Sequence, residues 1–331
     1  MELEGPRVIP QIVLAPLAGG PSTPELAAAV SNARGLGFLA AGYLAPDVFA
    51  EQLRRTRELT SAPIGINVFV LEDVAVDDEA VAAYARELEP EAQARGVQLG
   101  KPRFDDDWLP EKLEVIVRAD VEVVSTTFGC LPAETVTRLQ ESGTRVWATV
   151  TGAHEARAAR NAGVDALVVQ GAEAGGHRGA WHDDGEATPL LELLASIDVG
   201  LPIIATGGIV DHDGVAAVLV AGAQAAQIGT AFLLCPEAGT SEPHRRALRN
   251  AGETDFTRAF TGRSARGIVN RFMVEHPNAP SAYPQIHHLT APLRTAARAA
   301  GDADGINLWA GVNFARVEER PAAEIVALLG P

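Results

Sequence analysis

Short apolar runs alternate with longer stretches in which alanine, leucine and charged residues recur at helical spacing, and this alternation continues to about residue 235. A β-branched or apolar run of four or five positions followed by a helix-length segment is the pattern of a βαβ unit, and its repetition makes a parallel sheet. The predicted strands are Gln11–Ala15, Gly37–Ala40, Ile64–Val68, Val121–Val124, Val146–Val150, Ala166–Gln170, Ile203–Thr206 and Ala225–Gly229. Eight such runs fit a closed (β/α)8 TIM barrel better than an open sheet. Barrels of this kind exceed 250 residues as one unit, so a length of 331 residues does not demand two domains.

After the first strand, Ser22 with Glu25 three positions on has the spacing of a capping box, and Pro24 suits a first helical turn. Ala15–Gly20 is then a strand-to-helix loop, and in a barrel such loops line the catalytic face. Two segments depart from the alternation. Leu71–Pro110 reads as an insertion with a helix near Glu79–Arg95 and the acidic run Asp105–Asp107. The second follows Cys235, where helical patches and proline turns suggest a small helical cap. The expected organisation is a barrel over 1–235 with the insertion 71–110, a helical substrate or cap segment over 236–301, and a segment 302–331 that returns to the barrel.

Hydrophobic residues make up 47% and charged residues 21%, enough apolar material for a large core. The formal net charge of -16 disfavours nucleic acid and anionic membrane surfaces as partners. Lysine occurs only at Lys101 and Lys112, the arginine and alanine bias reads as genome composition rather than function, and a phosphate site made of backbone amides fits a chain so poor in lysine. The two cysteines, Cys130 and Cys235, are far apart, which suggests neither disulfide nor zinc chemistry and fits a reducing cytoplasm. There is no basic leader with an apolar core and no apolar run near the ~18 residues a bilayer requires, so the chain reads as soluble and unprocessed.

The strongest chemical signal is Gln170-Gly-Ala-Glu-Ala-Gly-Gly-His-Arg-Gly179 after the sixth predicted strand. Glycines there permit close approach to a flat ligand, Gln170 can bond a ring edge, and His177 can take a proton near neutral pH. His154, His182, His212, His244 and His276 have no such setting and read as surface or core residues. The seventh and eighth strands end in Ala205-Thr-Gly-Gly-Ile209 and Gln227-Ile-Gly-Thr230, where a barrel commonly holds a phosphate on backbone amides. Asn67 shares the strand-end position with Ala15, Gln170, Gly208 and Gly229, so five strand ends converge on one mouth. Tyr283, His287 and His288, with Trp309 beyond, either wall a substrate pocket or pack a cap helix on the barrel. Adjacent histidines do not face one ion on a helix, and no metal site is expected.

Together, Ala15–Pro24, Gln170–Gly179, Ala205–Ile209, Gln227–Thr230 and Tyr283–Arg294 resemble nitronate monooxygenases (formerly 2-nitropropane dioxygenases), in particular the bacterial class I group. The likeness runs in order over nearly the whole chain. It implies an FMN-dependent barrel with a helical substrate domain that oxidises alkyl nitronates, and neutral nitroalkanes, with O2 to carbonyl compounds and nitrite. By position it implies FMN contacts from Ala15, Pro16, Leu17, Asn67, Gln170, Gly175, Gly208 and Gln227 through Thr230 (Gln227, Ile228, Gly229, Thr230). His177 is implied to be the catalytic base; Tyr283, His287 and His288 remain the candidates for the substrate pocket on their own clustering. The family often has methionine where Leu17 stands, and tyrosine or lysine in the late segment where this chain has histidine or alanine.

A histidine near pKa ~6.5 can deprotonate the acidic α-carbon of a nitroalkane, whereas a preformed nitronate needs no base and calls on the histidine only to attract an anion. The rival on the same fold is an FMN-dependent NAD(P)H oxidoreductase, either a quinone reductase or an enoyl-thioester reductase; a flavinless barrel binding a phosphorylated metabolite is a third reading. The expected partners are a small-molecule substrate and O2, with self-association as a homodimer left open.

Overall fold

The computed structural model describes residues 9–250 and 252–330. Eight parallel strands form the barrel: β1 (Ile12–Leu14), β2 (Gly37–Ala40), β3 (Ile64–Phe69), β4 (Val123–Thr127), β5 (Arg145–Val150), β6 (Ala166–Gln170) and, after the short β7 (Gly176–His177) outside it, β8 (Ile203–Thr206) and β9 (Ala225–Ile228). They pair in the order β1-β9-β8-β6-β5-β4-β3-β2. A bridge from Val13 to Leu36 closes the ring, with Leu14 N donating to Leu36 O and Leu36 N to Ile12 O, both at 2.9 Å. The expected (β/α)8 barrel is therefore present, each predicted strand being found within a few residues.

Helices between the strands are α1 (Pro24–Asn32), α2 (Pro46–Leu59), α3 (Asp78–Arg95), α4 (Leu109–Val117), α5 (Ala133–Glu141), α6 (Ala153–Asn161), α7 (Leu190–Ser196) and α8 (His212–Val220). Beyond β9 come α9 (Glu242–Leu248), β10 (Thr254–Thr257), β11 (Ala265–Ile268), α10 (Arg271–Glu275), α11 (Gln285–Ala299) and α12 (Ala322–Leu329). Helix α12 packs on α1 and α8 and shares their core, so the last helix completes the outer ring. None of the described helices is long and apolar enough to cross a membrane.

Strand residues sort by parity, because successive side chains leave opposite faces. Odd positions of β1 and β5 and even positions of β6 and β8 fill the barrel: Val13, Trp147, Val168 and Ile204 join Phe38, Val123 and Ala225 in one interior cluster. Gly65 is required by that filling, since a Cβ there would stand 2.3 Å from the Phe38 ring. The opposite parity, including Leu14, Ile66, Leu167, Ala205 and Ile228, packs under the helices. Continued to the C-terminal ends, the inward parity delivers Ala15, Asn67, Thr127, Thr149, Gln170, Thr206 and Gln227 to the barrel mouth, in register across Gln170↔Thr206 and Thr206↔Gln227.

The cap of the first helix differs from the expectation. Thr23, not Ser22, caps α1, its hydroxyl accepting from Leu26 N at 3.0 Å; Ser22 Oγ instead accepts from Leu17 N at 2.9 Å and pins the first loop. The segment expected as a helical cap also contains an antiparallel hairpin, β10 with β11. The His177 loop is not free, because β7 adds to that hairpin, His177 opposite Ala265 and Gly176 opposite Arg266. The insertion joins the same superstructure: Val81, Tyr84 and Leu88 of α3 form one apolar core with Phe260, Phe272, Ile286 and Leu289. Pro292 lacks the N–H that would bond His288 O, and Gly100 packs so tightly there that a Cβ would lie 2.0 Å from that oxygen.

Candidate active site

A cavity of about 330 Å³ opens at the C-terminal end of the barrel, between the strand ends below and the cap above. Its lining includes Ala15, Pro16, Leu17, Asn67, Gln170, Gly175, His177, Gly208, Gln227, Gly229, Thr230 and His287. Most of the residues singled out from the sequence therefore converge on one space, although they come from β1, β3, β6, β8, β9 and α11.

Ile228, Tyr283 and His288 stand apart from that lining. Ile228 has the outward parity of β9 and is buried under the helices. Tyr283 is one layer back: its hydroxyl donates to Tyr43 Oη at 3.1 Å and its ring centroid lies 5.6 Å from that of His177. His288 turns away to Asp105, Nε2 to Oδ2 at 2.7 Å. Of the other histidines, His276 pairs with Glu87 and His244 is buried against the backbone of Trp309, and neither is itself a lining residue. The described residues contain no cluster able to hold a metal ion.

The backbone of the His177 loop is fastened by Gln170, whose Oε1 accepts from Gly179 N at 2.6 Å while Nε2 donates to His177 O at 3.2 Å. Asn67 Nδ2 donates to Ser125 Oγ at 2.9 Å and Thr127 Oγ1 at 3.0 Å. Gln227 is buried, and its Nε2 has no partner among the described residues. A buried amide donor without an acceptor costs about 1–3 kcal/mol, so this atom is poised for a ligand's oxygen or nitrogen.

His177 is boxed by the rings of Phe128, Tyr283 and Trp309 at centroid distances of 5.7, 5.6 and 5.5 Å. Its Nε2 lies 2.9 Å from Thr261 Oγ1. Burial, reinforced by the positive charges of Arg263 and Arg294, pushes its pKa down to about 3. The imidazole is therefore neutral across the neutral pH range.

The two arginines carry no carboxylate ion pair among the described residues. Arg263 stacks on Phe128, guanidinium carbon 4.2 Å from the ring centroid, and Nη2 donates to Ala180 O. Arg294 Nη2 donates to His287 O at 2.8 Å and Nε to Thr290 Oγ1 at 3.2 Å; burial lowers its pKa to about 10, which leaves it cationic. The cavity of this acidic chain is thus lined and backed by positive charge.

Tyr43, Phe128 and Thr261 carry no signal in the sequence, and Arg294 stands there only as the end of the Tyr283–Arg294 segment, with no role assigned. Tyr43 and Phe128 adopt positive φ of 68° and 74° in loops after β2 and β4, a conformation bulky residues rarely take and one that aims both rings over the mouth. The late stretch around Trp309, Gly311 and Asn313 closes the far wall, with Gly311 N donating to Thr230 Oγ1 at 3.0 Å and Asn313 Nδ2 to Gly208 O at 2.6 Å.

A family model described as nitronate monooxygenase matches residues 3–330. The chain belongs to the nitronate monooxygenase family. It is 40% identical over 332 residues to a nitronate monooxygenase of Paraburkholderia phytofirmans, covering 96% of this chain and 90% of that one. A probable nitronate monooxygenase of Bacillus subtilis is 38% identical over 318 residues, covering 93% and 91%. Among solved structures, a nitroalkane oxidase from Streptomyces ansochromogenes superposes with a TM-score of 0.94 at 48% identity, covering 96% of this chain and 94% of that one. FabK from Thermotoga maritima shares the barrel at a TM-score of 0.73 and 25% identity, covering 97% and 92%. Members of the nitronate monooxygenase family are oxidoreductases, and this chain is an enzyme of that class.

Proposed function

We propose that the enzyme uses FMN to oxidise alkyl nitronates, and less readily neutral nitroalkanes, with O2 to carbonyl compounds and nitrite. The observation that carries this reading is a neutral histidine facing a cavity whose buried arginines lack carboxylate partners. Such a site favours an anionic substrate and offers an unprotonated base beside it.

The residues fit a flavin nucleotide. The orphaned Gln227 Nε2 supplies a donor for the ring system. Gly207 and Gly208, at φ of 128° and 69°, keep β8's exit loop free of side chains, and the 3-10 turn Thr230–Phe232 follows Gly229. Asn67, Gln170, Gly175 and Gln227 would hold the ring, and Gly208 with Gly229 and Thr230 the phosphate. The bound flavin supplies the redox chemistry with O2.

The chain's own part is binding and proton transfer. Arg294 and Arg263 attract the nitronate, so His177 need not be protonated to anchor it. With a neutral nitroalkane, His177 takes the α-proton. The Thr261 hydroxyl lies 3.2 Å from Arg263 O; when it donates there, it accepts from His177 Nε2–H and leaves Nδ1 as the base. The proton then leaves the α-carbon for Nδ1 as negative charge moves onto the nitro oxygens, where the arginines stabilise it. An imidazolium between two guanidiniums is unfavourable until that anion forms, which ties deprotonation to the substrate's own charge.

The test is anaerobic mixing of FMN-loaded enzyme with ethyl nitronate, nitroethane, NADH and NADPH in separate runs while flavin absorbance is followed. Rapid bleaching by the nitronate with little response to either nicotinamide is expected. Bleaching by NADH or NADPH alone would move the enzyme to the reading as an FMN-dependent NAD(P)H oxidoreductase.

A further inference from the structure

Two histidines line the cavity, and their ring nitrogens are wired oppositely. His177 spends Nε2 on Thr261, whereas His287 spends Nδ1 on Arg294, whose Nη2 lies 3.3 Å away. Arginine has five N–H donors and no acceptor, so a hydrogen bond from it requires a lone pair on Nδ1. A neutral imidazole with a lone pair on Nδ1 carries its proton on Nε2. That nitrogen has no partner among the described residues, and the residue lines the cavity, where an acceptor on a bound ligand can meet it.

The ring is also fixed in orientation. It stacks on Tyr43 at a centroid distance of 4.2 Å and an interplanar angle of 4°. Tyr283 and His288 meet it edge-on at 6.3 Å and 5.4 Å. The titratable and charged groups around it are Tyr43, Tyr283, His288, Arg294, His177 and Arg103, and burial, followed by the charge of Arg294, opposes a second proton on the ring.

We propose that His287 is a fixed hydrogen-bond donor to the substrate's oxyanion, held in the Nε2–H form by Arg294. The two histidines then divide the work, His177 receiving the proton and His287 donating to a nitro or nitronate oxygen. The identity of that anion rests on the proposed function; the proton's position on His287 does not. The donor acts on nitronates and nitroalkanes alike, since both end with charge on the same oxygens, while a base matters only for the second.

Nitrogen-15 spectra of histidine-labelled wild-type protein should show His287 as the Nε2–H tautomer, unchanged between about pH 5 and about pH 8, the range in which an ordinary histidine titrates. A Nδ1–H tautomer, or titration within that range, overturns the proposal. With the FMN-loaded enzyme, His287→Leu should raise KM for ethyl nitronate about tenfold to a hundredfold, the worth of a hydrogen bond to a charged group. His287→Asn, which keeps an N–H donor, should recover most of that loss; an unchanged KM in the folded leucine variant counts against the donor role. Nitrate, a planar oxyanion that cannot be turned over, separates this proposal from the functional reading. If nitronate fails to reduce the flavin, the functional reading falls. A nitrate-induced shift of the His287 Nε2–H signal, with binding weakened about tenfold in His287→Leu, would still uphold the donor. Absence of that shift would sink it.

Discussion

Lys112→Met should destabilise the protein strongly, and by an amount that depends on pH in a direction fixed by the structure. The Lys112 side chain is fully enclosed, its Nζ 2.6 Å from Asp107 Oδ2, and the Asp107 side chain is 6% exposed. Asp107 Oδ1 also accepts from Tyr43 N at 2.9 Å, so the pair reaches from the insertion to the cavity wall. Methionine keeps most of the lysine's apolar stem but leaves a buried carboxylate with no cation. Breaking a buried pair from one side costs about 3–5 kcal/mol, a large share of the ~5–15 kcal/mol by which proteins are stable. Burial already raises the Asp107 pKa to about 6 with the ammonium in place, and removal of the ammonium raises it further. A carboxyl whose folded pKa exceeds its unfolded value binds protons more tightly when folded, so the variant regains stability as pH falls through the folded pKa. Urea unfolding at pH ~8 and ~5.5 should therefore show the full deficit at the higher pH and a smaller one at the lower, and Asp107→Asn added to Lys112→Met should recover part of it. A deficit under about 1 kcal/mol at the higher pH, or an equal deficit at both, would refute the reasoning.

Other expectations follow from the same geometry. His177→Asn should lower kcat/KM for nitroethane by about 10²- to 10⁴-fold while ethyl nitronate changes less than about tenfold; parallel losses in steady-state assays would remove the base assignment. His244 is buried with its pKa pushed from 6.5 down to about 4, so the unfolded chain binds its proton first and stability drains as pH falls below 6.5. At pH 5 this costs about 2 kcal/mol, and His244→Gln should flatten the acid limb of the urea midpoint; an unchanged limb would contradict the burial argument. In Gly175→Ala the new Cβ would lie 2.4 Å from Ala310 C and Gly311 N, so the closing wall must shift, and FMN affinity measured by fluorescence quenching should fall at least about tenfold.

Much of the fold and part of the site were legible because strand chemistry is periodic. Ala15, Asn67, Gln170 and Gln227 reached the mouth because each continues the inward parity of its strand, and the same rule identifies Thr127, Thr149 and Thr206, which were passed over, and sets Ile228 aside. Ser22 and Thr23 are equally good caps one residue apart, and the choice between them depended on Leu17 N, which recruited Ser22 for the loop. The hairpin that holds His177 had no local signal, since β7 is two residues long and exists only by pairing with a strand some ninety positions later. Arg294 and Tyr43 were hidden for a similar reason. The guanidinium lies on the side of α11 that faces the cavity, with His287 and Ala291, and the tyrosine's backbone N–H is held by a carboxylate sixty-four positions away.

The closing wall has a consequence for the order of manufacture. All eight barrel strands are complete at Ile228, yet Asn313, which bonds Gly208 across the mouth, lies 85 positions later (313 − 228). At ribosomal speeds of about 5–20 residues per second, that interval lasts roughly 4 to 17 s. During it a nascent chain can hold a closed barrel without a finished pocket, so retention of cofactor belongs to chains that have received their last sixth. Flavin colour in a preparation would therefore count chains elongated through the wall, and a product truncated near residue 300 would be selectively colourless even where its barrel had folded.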